Sequence, residues 1–253
     1  MANRNSVTQA IILKTQIQGE HNRNVCLLSE TEGIVHATLY GGAKSKLSAL
    51  VQPLSSGKLW LYTDSTRNMT KISDFDAQKS RLNIRESLYR LYASNLACEI
   101  VMKTKAAGEA KTVFYLLNGF LDGLDAIADK EAHSALVRFL WRYLAVMGIQ
   151  PPTDKCMSCH TNLQNIKEDV AYVSSFDGFL CSNCANEMQN TFHISPEAHS
   201  YLSAMASSLS PRAVRAMSLS PLSLSQLRTL LFYLSEEAVG MKLKSIETSV
   251  GIL

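Results

Sequence analysis

Between Val7 and about Ser73 the chain alternates apolar and polar residues with a period of two. The pattern comes in five short runs, VTQAIILKT, NVCLLS, GIVHATLY, GKLWLYTD and MTKISD, separated by breaks such as QGEHNRN, TEG and STRN. A two-residue period puts successive side chains on opposite faces of a strand, so each run predicts a β-strand with one face buried. Five strands in about 70 residues favour closure into a small barrel, because an open sheet would leave two unpaired edges. The expected architecture is an oligonucleotide-binding (OB) barrel.

The periodicity then becomes helical. Leu88, Tyr92, Leu96 and Ile100 recur every four residues; Val113, Leu117, Phe120, Leu121 and Leu124 share one helical face, as do Leu136, Phe139, Leu140, Tyr143 and Met147. The third helix should stop where Gly148 can adopt a left-handed backbone and Pro151-Pro152 forbids continuation. Helices resume at Ser195-Pro196-Glu197, read as an N-cap followed by a first-turn proline, and at Ser223, which with Gln226 fits a capping box. Between these blocks, AYVSSFDGFLC alternates around Asp177-Gly178 and predicts a β-hairpin. The fold class is therefore α+β and multidomain. A five-stranded OB-fold β-barrel spans residues 1–80, and a helical domain spans residues 81–253, interrupted at about residues 153–190 by a four-cysteine zinc hairpin.

That hairpin carries four of the six cysteines. Cys156 and Cys159 form one C-x-x-C pair, Cys181 and Cys184 another, with 21 residues between the pairs. Each C-x-x-C turn presents two sulfurs along one edge of a tetrahedron, and two such turns complete the four thiolates that zinc prefers. A closed set of four sulfurs leaves no position for water or substrate, so the expected zinc, one per chain, is structural. It would supply folding energy that a small excursion lacks. His160 beside Cys159 is an alternative ligand, and reduced, unmetallated thiols are the plainer reading. Cys26 and Cys98 sit in apolar settings and read as small buried residues.

Composition narrows the remaining choices. With 253 residues, 46% apolar and 19% charged, the chain has the make-up of an ordinary globular protein. No apolar run reaches the roughly 18 residues of a membrane span, and the first residues lack the layout of a signal peptide. A cytoplasmic protein with no membrane partner is expected. The net charge of +3 is small, but it is unevenly distributed: residues 151–200 hold two basic and six acidic side chains, whereas residues 1–80 hold nine basic and six acidic. Phosphate is therefore expected at the barrel, away from the cysteines.

Within the barrel region, GGAKSKLSALVQP joins two strands. Gly41 and Gly42 permit close backbone approach, and Lys44 and Lys46 lie two apart on one extended face. That loop reads as a phosphate contact; Lys14, Arg23, Lys58, Arg67, Lys71 and, past the barrel, Arg81 are further cationic candidates around it. In KLWLY, Trp60 and Tyr62 alternate with Lys58 on one face. Packing between barrel and helices is the expected role of the two rings, and base stacking is the alternative. Nucleotide-hydrolysis, Rossmann, zinc-protease and serine-hydrolase motifs are absent, so an enzyme is not expected.

The order of these features resembles a known family. GGAKSKLSALVQPL after the third strand, FYLLNGFLDGL in the second helix, MGIQPPTDKCMSCH, FDGFLCSNC and the tail MKLKSIETSV together are similar to the RecO family of bacterial recombinational DNA-repair proteins. The likeness covers nearly the whole chain. It implies an OB domain, a helical domain with a zinc motif, and binding of single- and double-stranded DNA. It further implies annealing of complementary strands without ATP, and help in loading the RecA recombinase together with RecR and single-stranded-DNA-binding protein in the nucleoid. By that likeness the DNA contacts would be Lys44 and Lys46, and the metal ligands Cys156, Cys159, Cys181 and Cys184. A protein adaptor that never touches DNA and a zinc enzyme are the competing classes. Salt-dependent binding of an oligonucleotide separates the first, and an open metal coordination position would mark the second.

Overall fold

The alternating runs close on themselves. In the computed structural model, which describes residues 4–41, 45–186, 188–207 and 210–253, β1 (Asn5–Gln18), β2 (Asn22–Ser29), β3 (Gly33–Leu39), β4 (Ser56–Asp64) and β5 (Met69–Lys79) form a closed barrel in the order β1-β2-β3-β5-β4. Its pairings are antiparallel except β3 with β5, which run parallel and meet at Thr38 and Lys71. The inward positions follow the predicted alternation: Ala10 and Ile12, Val25 and Leu27, Ala37 and Leu39, Leu59 and Leu61, with Ile72 and Phe75, make one buried cluster. At Gly57 the facing strand comes so close that a Cβ would lie 2.0 Å from the Asp76 carbonyl oxygen. A side chain there would force apart a bulge in the β4–β5 ladder.

The segment between β3 and β4 is not wholly extended. Lys46 opens a short helix, α1 (Lys46–Leu50), so it does not occupy the extended face expected of it. Lys44 lies outside the described residues. After the barrel a 3-10 turn (Leu82–Glu86) leads into α2 (Leu88–Lys103), α3 (Ala110–Ala126) and α4 (Asp129–Val146). The buried face of α2 is Tyr89, Ala93, Leu96, Ala97 and Ile100, while Leu88 is 65% exposed. A stripe repeating every four residues drifts around a 3.6-residue helix, and Leu88 ends about 120° from Ile100. The faces read for α3 and α4 are buried apart from Met147, which is half-buried. Gly148 takes the left-handed conformation (φ 74°) where α4 ends.

The chain forms two compact units. The first comprises residues 1–132 and 242–253, the second residues 133–241. In the first, α2 packs on β1, and α3 packs on β1, β2 and β3. Arg81 joins barrel to helix. Its side chain is 1% exposed; it donates to the Leu54 carbonyl oxygen at 2.5 Å, to Asp122 at 2.9 Å and to Asn118 at 2.7 Å. Lys79 also meets Asp122, at 2.5 Å.

The second unit contains a three-stranded sheet in the order β7-β6-β8, built from β6 (Val170–Val173), β7 (Gly178–Cys181) and β8 (Thr191–Ile194). The hairpin at Asp177-Gly178 was legible in the sequence; β8 adds a third strand to it. Between β7 and β8 lies α5 (Ser182–Ala185), and beyond β8 come α6 (Pro196–Ala206), α7 (Pro211–Ala216) and α8 (Pro221–Val239). Each of the last three begins with a Ser-Pro pair whose serine accepts a hydrogen bond from the backbone three residues on. For α8 that cap is Ser220, not Ser223. Ser223 is inside the helix, and Gln226 accepts instead from the backbone N–H of Ser195. Pro221 sets the helical backbone one turn earlier than the capping box implied. The oxygens of Glu197 accept from Ser220 and Ser223, binding the start of α6 to that of α8.

Residues 242–253 return to the first unit, where α9 (Lys244–Glu247) is capped by Glu99 of α2. The Glu99 carboxylate accepts from the backbone N–H groups of Lys244 and Ser245 at 3.1 and 2.8 Å, offsetting the unpaired donors of a helix start. Among the described residues, no helix is long and apolar enough to cross a membrane.

Two outcomes follow. Arg81→Ala leaves Asp122, Asn118 and the Leu54 carbonyl without a shared donor, and should lower unfolding free energy by about 3 kcal/mol in urea denaturation. In the second unit His199 is 2% exposed, edge-on to Phe179 at 5.5 Å, and its Nε2 has no hydrogen-bond partner. Burial holds its pKa below the ordinary value near 6.5, against a smaller opposing effect of the Thr153 backbone. The folded chain keeps this imidazole neutral while the unfolded chain protonates it, so stability is full above pH 6.5 and falls as pH drops below it. The unfolding free energy from urea denaturation should decline with a slope of at most about 1.4 kcal/mol per pH unit from this group, and His199→Gln should flatten that part of the profile.

Candidate metal centre and nucleic-acid interface

Two tight turns bring the four cysteines together. The first is built by the backbone: Cys156 N–H donates to Thr161 at 2.8 Å, His160 N–H donates to Cys156 at 2.9 Å, and His160 takes a left-handed conformation (φ 61°) that reverses the chain. Met157 N–H then docks this turn on Phe179 of β7 at 2.9 Å. The second turn runs from the end of β7, which supplies Cys181, into α5, which carries Cys184. The result is four sulfurs within 4.8 Å of one another.

This donor set fits a tetrahedral metal. Metal–sulfur bonds of about 2.3 Å place tetrahedral sulfurs about 3.8 Å apart, and Cys159 and Cys181 Sγ are 3.8 Å apart. The backbone N–H of Cys181 points at Cys156 Sγ at 3.4 Å, the kind of outer contact that orients a ligating sulfur. Cys159 Sγ is 3.2 Å from the Thr161 hydroxyl. The Thr161 side chain, the Thr161 backbone and Cys156 pull the Cys159 thiol down to about 6, favouring the thiolate that binds metal. Cys156 and Cys181 are buried, Cys159 is exposed and Cys184 is half-buried, so one side of the centre faces solvent. The two remaining cysteines behave as read. Burial pushes Cys26 up to about 11 and Cys98 up to about 12, far from nucleophilic.

The basic side chains do not form one patch. The strand register aligns Arg23 with Leu39 and Tyr62 with Lys71, so Arg23, Lys71 and Tyr62 fall near the barrel rim that also carries α1 and Lys46. Arg23 bonds the Ser48 carbonyl of α1 at 3.2 Å, and Lys71 stands 4.7 Å above the Tyr62 ring. Arg67 is exposed in the β4–β5 turn, 4.0 Å from Asp64. Lys14 is exposed on β1, paired with Cys26 beside a bulge. Lys58 lies 5.2 Å above Trp60, but across the ladder these two face Asp76 and Asp74, whose charges oppose phosphate. Arg81 is engaged inside the first unit.

Trp60 and Tyr62 are half-exposed, rather than packed between barrel and helices. In the first unit α2 and α3 cover the β1–β3 side, which leaves these rings with their lysines on the outer face of β4. Sequence reasoning passed over Tyr40, Leu47, Met69, Ile72 and Ser73, which with the candidate Lys71 frame a cleft of about 550 Å³ at the same rim. The one local clue was Tyr40 standing immediately before the Gly41 loop.

Nearly the whole chain is similar to known proteins. The family model described as "Recombination protein O N terminal" matches residues 1–81, and that described as "Recombination protein O C terminal" matches residues 85–247. Among curated relatives, the chain is 28% identical over 191 residues to a protein named DNA repair protein RecO from Shouchella clausii, covering 73% of this chain and 71% of that one. It is 28% identical over 195 residues to the protein of the same name from Bacillus pumilus, with 76% and 73% covered. For the Bacillus subtilis protein of that name the identity is 26% over 195 residues, with 75% and 72% covered.

Replacing Cys156, the fully buried sulfur, by Ala should lower bound metal well below one ion per chain by elemental analysis, and lower the thermal midpoint with it. Cys26→Ala should leave the metal content unchanged.

Proposed function

The chain belongs to the RecO family, and from that premise we propose that it is a DNA-binding recombination mediator, annealing complementary single strands and helping to load the RecA recombinase during repair. The proposed partners are single- and double-stranded DNA, RecR and single-stranded-DNA-binding protein, in the bacterial cytoplasm at the nucleoid. The proposed metal is zinc, one per chain, bracing the second unit.

The observation that supports DNA contact is the gathering of Arg23, Lys46 and Lys71 at one barrel rim beside half-exposed aromatic rings. Single strands are held by cations that track the phosphates and by rings on which bases stack. Lys44, two residues before Lys46 in the sequence, is proposed as a further contact. Lys14 and Arg67 are outlying contacts, and Lys58 is a weaker one because of its acidic neighbours. Arg81 is assigned a positioning role, since its donors are already taken. Annealing needs no covalent step. Two polyanions repel, and a surface that neutralises their phosphates lowers that barrier while unpaired bases find one another.

The zinc proposal rests on the four-sulfur set, which suits zinc and leaves no open coordination position for chemistry. When bound, the ion would supply charge neutralisation and a cross-link between the two turns. The residues hold the turns in place through the Cys156–Thr161 and Met157–Phe179 backbone bonds.

The test is fluorescence anisotropy with a labelled oligonucleotide over a salt series, paired with an annealing assay. Lys44→Ala/Lys46→Ala should weaken binding and flatten the salt slope by about 1.4, with zinc content unchanged. Unchanged affinity and slope would remove the loop from the contact surface. Absence of any binding at low salt would favour the adaptor reading.

A further inference from the structure

We propose that the cleft beside Tyr40 receives one unstacked nucleobase of a bound single strand, with Tyr40 as the stacking platform. This deepens the DNA-binding reading above and rests on it.

The cleft lies where β3 ends, α1 begins and β5 starts, lined by Tyr40, Leu47, Met69, Lys71, Ile72 and Ser73. Its volume of about 550 Å³ is within the range of roughly 300–1,000 Å³ typical of ligand sites. Tyr40 is 45% exposed, and its hydroxyl donates to Met69 Sδ at 3.1 Å. That contact favours one orientation of the ring, which reduces the ordering cost of binding.

The lining matches the chemistry of a nucleotide. An aromatic face, a thioether and two aliphatic side chains offer a flat apolar seat. Ser73 adds a polar residue to the lining, and Lys71 is the one charged group among the six residues. Among the described residues no carboxylate lines the cleft, in contrast to the Lys58–Trp60 face, where Asp74 and Asp76 stand opposite. Lys46 immediately precedes Leu47, and Arg23 is bonded to Ser48, so cations come from β2, α1 and β5 around one apolar seat. A nucleic-acid strand presents a phosphate on either side of each base and suits several cations flanking a ring; a peptide terminus presents one carboxylate and needs one. Lys71 also stands over Tyr62, which places a second half-exposed ring next along the rim for a neighbouring base.

The experiment compares the wild-type chain with Tyr40→Ala and Tyr40→Phe, using labelled oligothymidylate and an abasic strand of equal length. Tyr40→Ala should bind oligothymidylate about 5- to 160-fold more weakly, the span expected for one lost stacking contact, with the salt slope unchanged because no phosphate contact is lost. Tyr40→Phe should retain most of the affinity. On the abasic strand wild type and Tyr40→Ala should bind equally. Equal binding of oligothymidylate by wild type and Tyr40→Ala would overturn the base site while leaving the Lys44/Lys46 test of DNA contact standing. An equal loss on both strands would overturn it too, by showing that Tyr40 acts through the fold. A labelled peptide ending in Asp and Phe that binds wild type but not Tyr40→Ala, with oligothymidylate binding unaffected, would assign the cleft to a protein partner instead. If wild type bound neither strand, this proposal and the reading beneath it would fall together.

Discussion

The buried guanidinium of Arg81 is the constraint on which the first unit depends. It sits where the barrel ends and the helices begin, and one planar group reaches the Leu54 carbonyl, Asp122 and Asn118 at once. Lysine could not replace it, because three partners in three directions require a rigid fork of donors and not a single ammonium. Two residues adopt left-handed backbone to make the contact, Arg81 at φ 47° and Leu54 at φ 72°. Such conformations are costly for side chains with a Cβ and persist only where surrounding bonds enforce them. The Leu54 turn precedes β4, and Asp122 lies on α3, which packs on β1 to β3. The position of the rim strands relative to the covering helices is thus tied to one buried charge.

The barrel was legible in the sequence because its determinant is local: a period of two needs only neighbouring residues to be read. The cysteine centre was legible for a similar reason, since each C-x-x-C turn states its own geometry. Arg81 was not. It follows Lys79 and Ser80 in a basic stretch, and nothing within a few residues announces that its partners are Leu54, Asn118 and Asp122, so it read as a surface cation. Tyr40 was hidden in the same way, with Met69 and Ile72 arriving from β5 about 30 residues later. The start of α8 was missed for a different cause. Ser220-Pro221 and the Ser223–Gln226 pair both signal a helix start, and the proline prevailed because it fixes a backbone angle, whereas a side-chain cap can be exchanged for other partners.

Two kinds of charge chemistry are kept in separate units. The first unit exposes cations beside aromatic rings, while the second gathers four sulfurs in the most acidic stretch of the chain. Four thiolates around a divalent ion leave a net negative centre, which is poorly suited to phosphate. Within the metal centre the exposed Cys159 is also a sulfur whose thiol is held low by Thr161.

The chain leaves the first unit at residue 132 and returns to it at residue 242, where Glu99 receives the start of α9. On the ribosome this order has a cost. The second unit can mature as soon as its own residues emerge, whereas the barrel-bearing unit is complete only once residues 242–253 have followed them. A nascent chain stalled before residue 242 would hold a finished insert within an unfinished host, and the Glu99 carboxylate would have no amides to receive.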